Sequence, residues 1–316
     1  MKLVLKDLNT VVLDDGPTPS PAFGEVTVAI EAATVNPSDL KLAAGTYGYR
    51  PELPFAVGTE GVGRVTGVGP GTDPDLAGQR VLIVPNYEQG TWADELVTKA
   101  TNVIPIPDTG DPLQLATVGV NPLTAHLALT RYVDLQPGDW VGQNLGNSAV
   151  GKAVIALAKH AGFRTLSVVR RPEAAEGLES DVVVVDGNDL AERIRSELGG
   201  DQLRLVLDGT GDHTTAALAQ SAELNGTVVS YSSVTGQMPP VGLGDYIYRQ
   251  LRLTGLWIMN WTRTAPYAEL AETYGELARL TNDGVLRTRI EATYPLAAYA
   301  EALEHAERAG KILFRP

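Results

Sequence analysis

Hydrophobic and polar positions follow two periods along this chain. Over residues 1–100 they alternate in short runs. Val26-Thr-Val-Ala-Ile-Glu-Ala and Gly61-Val-Gly-Arg-Val-Thr-Gly-Val-Gly69 put small or apolar residues on every second position, the period of a strand with one buried face. Arg80-Val-Leu-Ile-Val84 and Thr91-Trp-Ala-Asp-Glu-Leu-Val97 add short strands between Pro, Gly and Asp turns. Strands spaced this way predict a compact antiparallel barrel. Asn36-Pro37 leads into one short helix over 38–44. Residues 112–133 read as helical, with Pro112 opening one helix and Pro122 another, capped by Asn121. Strand and helix periods then alternate: strands at 140–144, 165–169, 181–185, 203–208, 226–231 and 251–257, helices at 151–161, 189–198 and 213–223. That alternation predicts a doubly wound parallel sheet with helices on both faces. Helices over 266–283 and 297–308 and a last strand at Lys311-Ile-Leu-Phe complete the pattern. This last part is too short for a domain of its own. The fold class is therefore α/β, with a discontinuous domain of residues 1–118 and 263–316 and an inserted one of 119–262.

The inserted part opens on Asp139-Trp-Val-Gly-Gln-Asn-Leu-Gly-Asn-Ser-Ala-Val-Gly151, which reads as strand, tight turn and helix start. A helix entered this way presents unpaired N–H groups and the positive end of its dipole, and small turn residues let a pyrophosphate approach them. Only Gly146 and Gly151 are glycines, and Leu145 stands where a first glycine usually falls. An ordinary α/β crossover without ligand stays open on this pattern alone. The strand at 165–169 runs into Arg170-Arg171 with no acidic residue. Arginine suits the 2′-phosphate of NADPH, where an acid would suit the ribose of NADH. The bland alternative for either arginine is a solvated strand end.

Composition narrows the classes. A chain of 316 residues with 44% hydrophobic and 20% charged content is ordinary for two globular domains. It has no cysteine, which removes disulfides, thiolate catalysis and Cys-based zinc sites together. A net charge of −13 disfavours nucleic-acid backbones and anionic membranes as partners. No run reaches the ~18 consecutive apolar residues of a membrane span, and Met1-Lys-Leu-Val-Leu-Lys-Asp does not read as a signal peptide. The expected location is cytoplasmic. His126, His160, His213 and His305 lie on helical patterns away from one another, and Ser148 has no neighbouring base to make it a hydrolase nucleophile.

Several pieces together resemble the medium-chain dehydrogenase/reductase superfamily, and within it the zinc-free 2-enoyl thioester reductases of mitochondrial type. They are Val35-Asn-Pro-Ser-Asp-Leu, Gly45-Thr-Tyr-Gly48 with Pro51-Glu-Leu-Pro, Gly58-Thr-Glu-Gly61, Gly90-Thr-Trp92, Val120-Asn-Pro-Leu-Thr-Ala, Leu135-Gln-Pro-Gly-Asp139, Gln143-Asn144, Asn147-Ser148 with Val150-Gly151, Val168-Val-Arg170, and Gly255-Leu-Trp257 with Trp261. The resemblance implies a GroES-like catalytic domain, a Rossmann cofactor domain, NADPH as cofactor, and hydride delivery to Cβ of an unsaturated thioester. Zinc relatives bind the metal through Cys and a Gly-His-Glu motif. Here Thr59 replaces the histidine, so no metal is expected.

Without a metal, a phenol can polarise the carbonyl or give up its proton. The resemblance assigns that role to Tyr47; a merely lining aromatic beside Tyr49 is the alternative. Asn36 is a candidate second polar group, or else a turn residue before Pro37. The implied cofactor set is Asn121 and Thr124, the turn residues Asn147, Ser148, Ala149 and Val150, then Arg170 and Arg171. It continues with Tyr231, Ser232, Ser233 and Val234 after a strand, Leu256, Trp257, Ile258 and Met259 at the nicotinamide, and Lys311. Trp257 as core and Lys311 as a surface charge are the competing readings. The segment between Arg171 and Asp181 is short for the family, and an acidic chain sits uneasily with an acidic carrier-protein partner. An NADPH-dependent quinone or small-enone reductase is the rival function, and a non-catalytic dinucleotide-regulated protein a third. A homodimer joined along the strand at 251–257 is expected, because an apolar sheet edge otherwise invites uncontrolled pairing.

Overall fold

The computed structural model describes residues 1–308 and 310–316. It divides into two compact units, Met1–Val120 with Met259–Pro316, and Asn121–Ile258.

In the first unit, the strand Glu25–Val35 pairs antiparallel with Gly61–Val68, and Glu95–Lys99 pairs with it too. Arg80–Ile83 and Val103–Ile106 extend the sheet on one side, Lys311–Phe314 and Ile290–Tyr294 on the other. Sequence alternation supplies the buried face: Val26, Val28, Ile30, Val62, Val65, Val81 and Ile83 point into the core. A Cβ at Gly63 would collide with the Ala29 carbonyl, so close pairing of these two strands needs the small residues of the Gly-Val-Gly pattern. Lys2–Asp7, Thr10–Asp14 and Phe55–Ala56 form a separate small sheet.

The second unit carries a six-stranded parallel sheet in the order Val182–Val185, Arg164–Val169, Trp140–Gln143, Leu203–Asp208, Ala222–Ser230, Arg252–Gly255. The first strand in sequence lies at the centre. The chain winds outward one way and then the other, so a topological switch point falls between Trp140–Gln143 and Leu203–Asp208. Ala149–Ala161, Leu190–Leu198 and His213–Ala219 are its crossover helices, and Leu166, Val168, Ile194, Val206, Leu218 and Val228 build its core.

Four element boundaries differ from expectation. The strand expected over 91–97 begins at Glu95, because the Trp92 indole N–H is drawn inward to the Thr34 carbonyl at 2.7 Å and stacks edge-on against Phe314. The helix expected to 223 stops at Ala219, and Ala222–Ser230 starts early through a register shift opposite Leu203–Asp208. The helix expected over 266–283 is Tyr267–Asn282, and an unexpected helix, Ile258–Thr264, ends just before Pro266. Ile290–Tyr294 runs parallel to Lys311–Phe314, so the sheet is not wholly antiparallel. No helix among the described residues is long and apolar enough to cross a membrane.

Candidate active site

The turn after Trp140–Gln143 is built for close approach. Leu145 takes a φ of +51°. A Cβ on Gly146 would stand 2.6 Å from the Ser167 Cβ, and one on Gly151 only 2.5 Å from the Leu145 carbonyl oxygen. Ser148 caps the helix Ala149–Ala161, its hydroxyl accepting from the Gly151 N–H at 3.0 Å. The remaining first-turn N–H groups have no intrahelical acceptor and carry the positive end of a 13-residue helix. Asn147 and Ala149 are exposed there, Ser148 and Val150 half-buried. Arg170 and Arg171 are exposed at the end of the neighbouring strand, and neither forms an ion pair among the described residues.

Tyr231 follows Ala222–Ser230 and packs on Gly209. Its hydroxyl is buried without a hydrogen bond of good geometry, beside Ser148. Burial pushes this phenol above its ordinary value, against the pull of the Ser148 hydroxyl. Ser232 and Val234 are exposed and Ser233 is half-buried. Leu256 and Trp257 are half-buried, and Ile258 and Met259 are buried. Thr124 is buried on the helix Asn121–Thr130, with Asn121 half-buried at its start. Unsatisfied helix N–H groups and solvated guanidinium groups beside a buried phenol together suit a phosphorylated dinucleotide.

Beneath the turn lies a polar cluster that sequence reasoning missed. The Asn144 amide donates to Asp208 at 2.9 Å and Thr210 at 2.6 Å, and its oxygen accepts from the Gly209 N–H at 2.8 Å. Burial opposes the Asp208 charge, yet the Gly211 N–H, Thr215, Asn144 and Ser230 together hold its carboxyl below the usual range. The cluster ties the two strands that flank the switch point. Asp208-Gly-Thr-Gly at a strand end was its available signal.

In the other unit, Tyr47 is half-buried after the helix Pro37–Ala43, its N–H held by the Lys41 carbonyl at 3.1 Å. Its ring stands edge-on to Tyr87 at 6.3 Å, and Tyr49 stacks on the other tyrosine at 4.7 Å. Asn36 lies in a separate buried network. Its amide nitrogen donates to Thr34 at 3.1 Å and to Glu60 at 2.9 Å, while its oxygen accepts from Lys311 at 2.6 Å. Glu60 is fully buried, takes further hydrogen bonds from Thr34 and the Val120 N–H, and has the Lys311 ammonium 4.0 Å away. Thr59 donates to Asp39. Lys311 is thus no surface charge. Burial pulls its ammonium down, and the charges of Glu60 and Asp39 pull it back up.

Residues 22–108 match the family model described as the alcohol dehydrogenase GroES-like domain, and residues 149–273 the one described as zinc-binding dehydrogenase. The human mitochondrial enoyl-[acyl-carrier-protein] reductase is 35% identical over 293 residues, covering 89% of this chain and 77% of that protein. A mycobacterial quinone oxidoreductase superposes with a TM-score of 0.88 at 27% identity, over 100% of this chain and 99% of that one. A mycobacterial protein solved with NADPH superposes at 0.84 and 27% identity, with the same coverage. The chain belongs to the enoyl reductase and quinone oxidoreductase-like branch of the medium-chain dehydrogenase/reductases.

This reductase departs from its zinc-binding namesake at the metal. Thr59 and Asp39 satisfy each other, and Glu60 faces an ammonium. Among the described residues no three His, Cys, Asp or Glu side chains gather as a metal site. The histidines sit apart: His213 pairs with Asp186 at 2.9 Å and His305 with the Tyr294 hydroxyl at 2.8 Å.

Proposed function

We propose that the chain reduces the C=C bond of an α,β-unsaturated thioester, with NADPH as the cofactor. Bound NADPH supplies a hydride to Cβ, and negative charge then builds on the substrate carbonyl oxygen. Asn147, Ser148, Ala149 and Val150 would receive the pyrophosphate, Arg170 and Arg171 the 2′-phosphate. Tyr231, Ser232, Ser233 and Val234, with Asn121 and Thr124, would flank the ribose and nicotinamide, and Leu256, Trp257, Ile258 and Met259 would wall the ring. Tyr47 would donate its hydroxyl hydrogen to the developing oxyanion or pass it to Cα. The observation that carries this reading is a phenol set among aromatic rings in a unit where Thr59 donates to Asp39 and Glu60 faces an ammonium. Asn36 donates to Thr34 and Glu60 and accepts from Lys311, whose ammonium also faces Glu60. These bonds support a structural role for both residues beside the direct contacts expected of them.

An NADPH-oxidation screen across crotonyl-CoA, quinones and simple enones tests the assignment. Turnover of the thioester is expected. Brisk quinone reduction with inert enoyl-CoA would favour quinone reductase, the reading supported by the likeness to the mycobacterial quinone oxidoreductase. Replacing Arg170 and Arg171 together by Ala is expected to raise KM for NADPH by about 10- to 100-fold and to leave NADH turnover unchanged, as loss of two charge-assisted contacts dictates. Equal losses with both cofactors would remove the arginines from the site.

A homodimer follows from the free edge of the six-stranded sheet. Arg252–Gly255 is its last strand and is largely exposed. Leu243, Ile247 and Tyr248, just before it, are exposed apolar side chains of the same unit. A second copy along this edge would cover both. Light scattering at micromolar concentration is expected to give twice the chain mass, and a monomer mass would end this reading.

A further inference from the structure

Tyr87 is the residue of this unit that the function above leaves unexplained. It takes a φ of +61°, in the left-handed region that a bulky side chain avoids. Such a conformation persists only where surroundings over-determine it, and it concentrates at working sites. The surroundings here are specific. The Asn86 side-chain oxygen accepts from the Glu88 N–H at 2.8 Å, and Gln89 donates to the Val84 carbonyl at 3.1 Å. Arg263 donates to the Asn86 carbonyl at 3.2 Å and lies over the Tyr49 ring at 5.6 Å. These contacts fix a loop whose only large side chain, Tyr87, is 8% exposed and held between Tyr49, stacked within 6° of parallel, and the edge of Tyr47. A loop strained to bury a polar ring is poor economy for packing alone, since a phenylalanine would stack equally well without a hydroxyl to satisfy.

We propose that Tyr87 is a positioning residue that donates its hydroxyl hydrogen to the Tyr47 oxygen. This rests on the reading of Tyr47 as the proton donor. The Tyr87 ring stands edge-on to Tyr47 at 6.3 Å; burial first, and then the charge Tyr47 can carry, push the Tyr87 phenol well above its ordinary value. Buried and edge-on to Tyr47, Tyr87 is placed to serve as the donor. Accepting that bond turns the Tyr47 hydrogen outward and strengthens it as a donor. When the Tyr47 O–H breaks and its proton forms the new C–H bond at Cα, the electron pair stays on the Tyr47 oxygen. The Tyr87 O–H then meets a phenolate, a stronger charge-assisted bond. No proton leaves Tyr87.

The test is a double-mutant cycle in the full-length enzyme with NADPH and crotonyl-CoA, reading kcat and KM. Tyr87→Phe keeps the ring and its stack, and an unchanged thermal midpoint verifies the fold. It is expected to lower kcat about tenfold, the size of one hydrogen bond to a charged group, with KM nearly unchanged. In a Tyr47→Phe background the same substitution is expected to have no further effect. An equal loss in both backgrounds, or wild-type kcat for Tyr87→Phe, overturns this inference while leaving the role of Tyr47 intact. Wild-type turnover by Tyr47→Phe alone overturns both.

Discussion

Tyr47→Phe is expected to lower kcat for crotonyl-CoA by about 10²- to 10⁴-fold, the range set by removing one positioned proton donor. NADPH affinity should stay within about twofold, because the residues that would hold the pyrophosphate and the 2′-phosphate lie in Asn121–Ile258 and Tyr47 does not. The effect should fall on kcat more than on KM, since the hydrogen bond matters most once charge has built on the carbonyl oxygen. Fluorescence titration with NADPH, alongside steady-state rates, separates the two. Wild-type turnover would remove Tyr47 from the chemistry. A matching loss of NADPH affinity would point instead to a folding defect, which a thermal midpoint resolves.

Lys311→Met is expected to cost about 3–5 kcal/mol of stability at neutral pH, the penalty for leaving a buried charge without its partner. Glu60 is fully enclosed and the ammonium at 4.0 Å is the cation beside it. Urea denaturation measures the loss, and adding Glu60→Gln should return part of it. A cost below about 1 kcal/mol would mean that the hydrogen bonds from Thr34, Asn36 and Val120 satisfy Glu60 unaided. The same network makes stability depend on pH. Burial above all, reinforced by the charge of Glu60, raises the Asp39 carboxyl from 3.8 to about 6, against the pull of Thr59, the Asn36 N–H and Lys311. Between those values the folded chain holds a proton that the unfolded chain has released. Stability therefore falls as pH rises through that window, by about 3 kcal/mol in all. Asp39→Asn should flatten the fall between pH ~4 and ~7; an identical slope in both proteins would contradict the assignment.

The strands Trp140–Gln143, Arg164–Val169 and Leu203–Asp208 were legible because they are largely buried and short apolar segments alternate there with helical ones. The Ser148 cap and the glycines at 146 and 151 were legible for a local reason too: turn and cap chemistry involve neighbours in sequence. Ala222–Ser230 hid its start because Glu223, Leu224 and Asn225 look like a turn, and pairing through the register shift opposite Leu203–Asp208 decides otherwise. Ile290–Tyr294 was missed because it is short, only partly buried, and its pairing with Lys311–Phe314 is parallel. Lys311 was the hardest residue to read. Its partner Asn36 is 275 positions away, and no local pattern distinguishes a buried lysine from an exposed one. Tyr87 carried no signal either, since a tyrosine in the left-handed region breaks the residue preferences on which sequence reading depends.

That long reach from Lys311 to Asn36 also sets an order of events during synthesis. Asn121–Ile258 is one continuous stretch and can close its core as soon as it has left the ribosome. The other unit cannot. Asp39 and Glu60 emerge early, but the ammonium that faces them arrives with one of the last strands, 275 residues after Asn36. At ~5–20 residues per second the nascent carboxylates wait roughly 15–55 s for their cation. The unit that bears Tyr47 therefore completes its buried ion pair only after the other unit has been made.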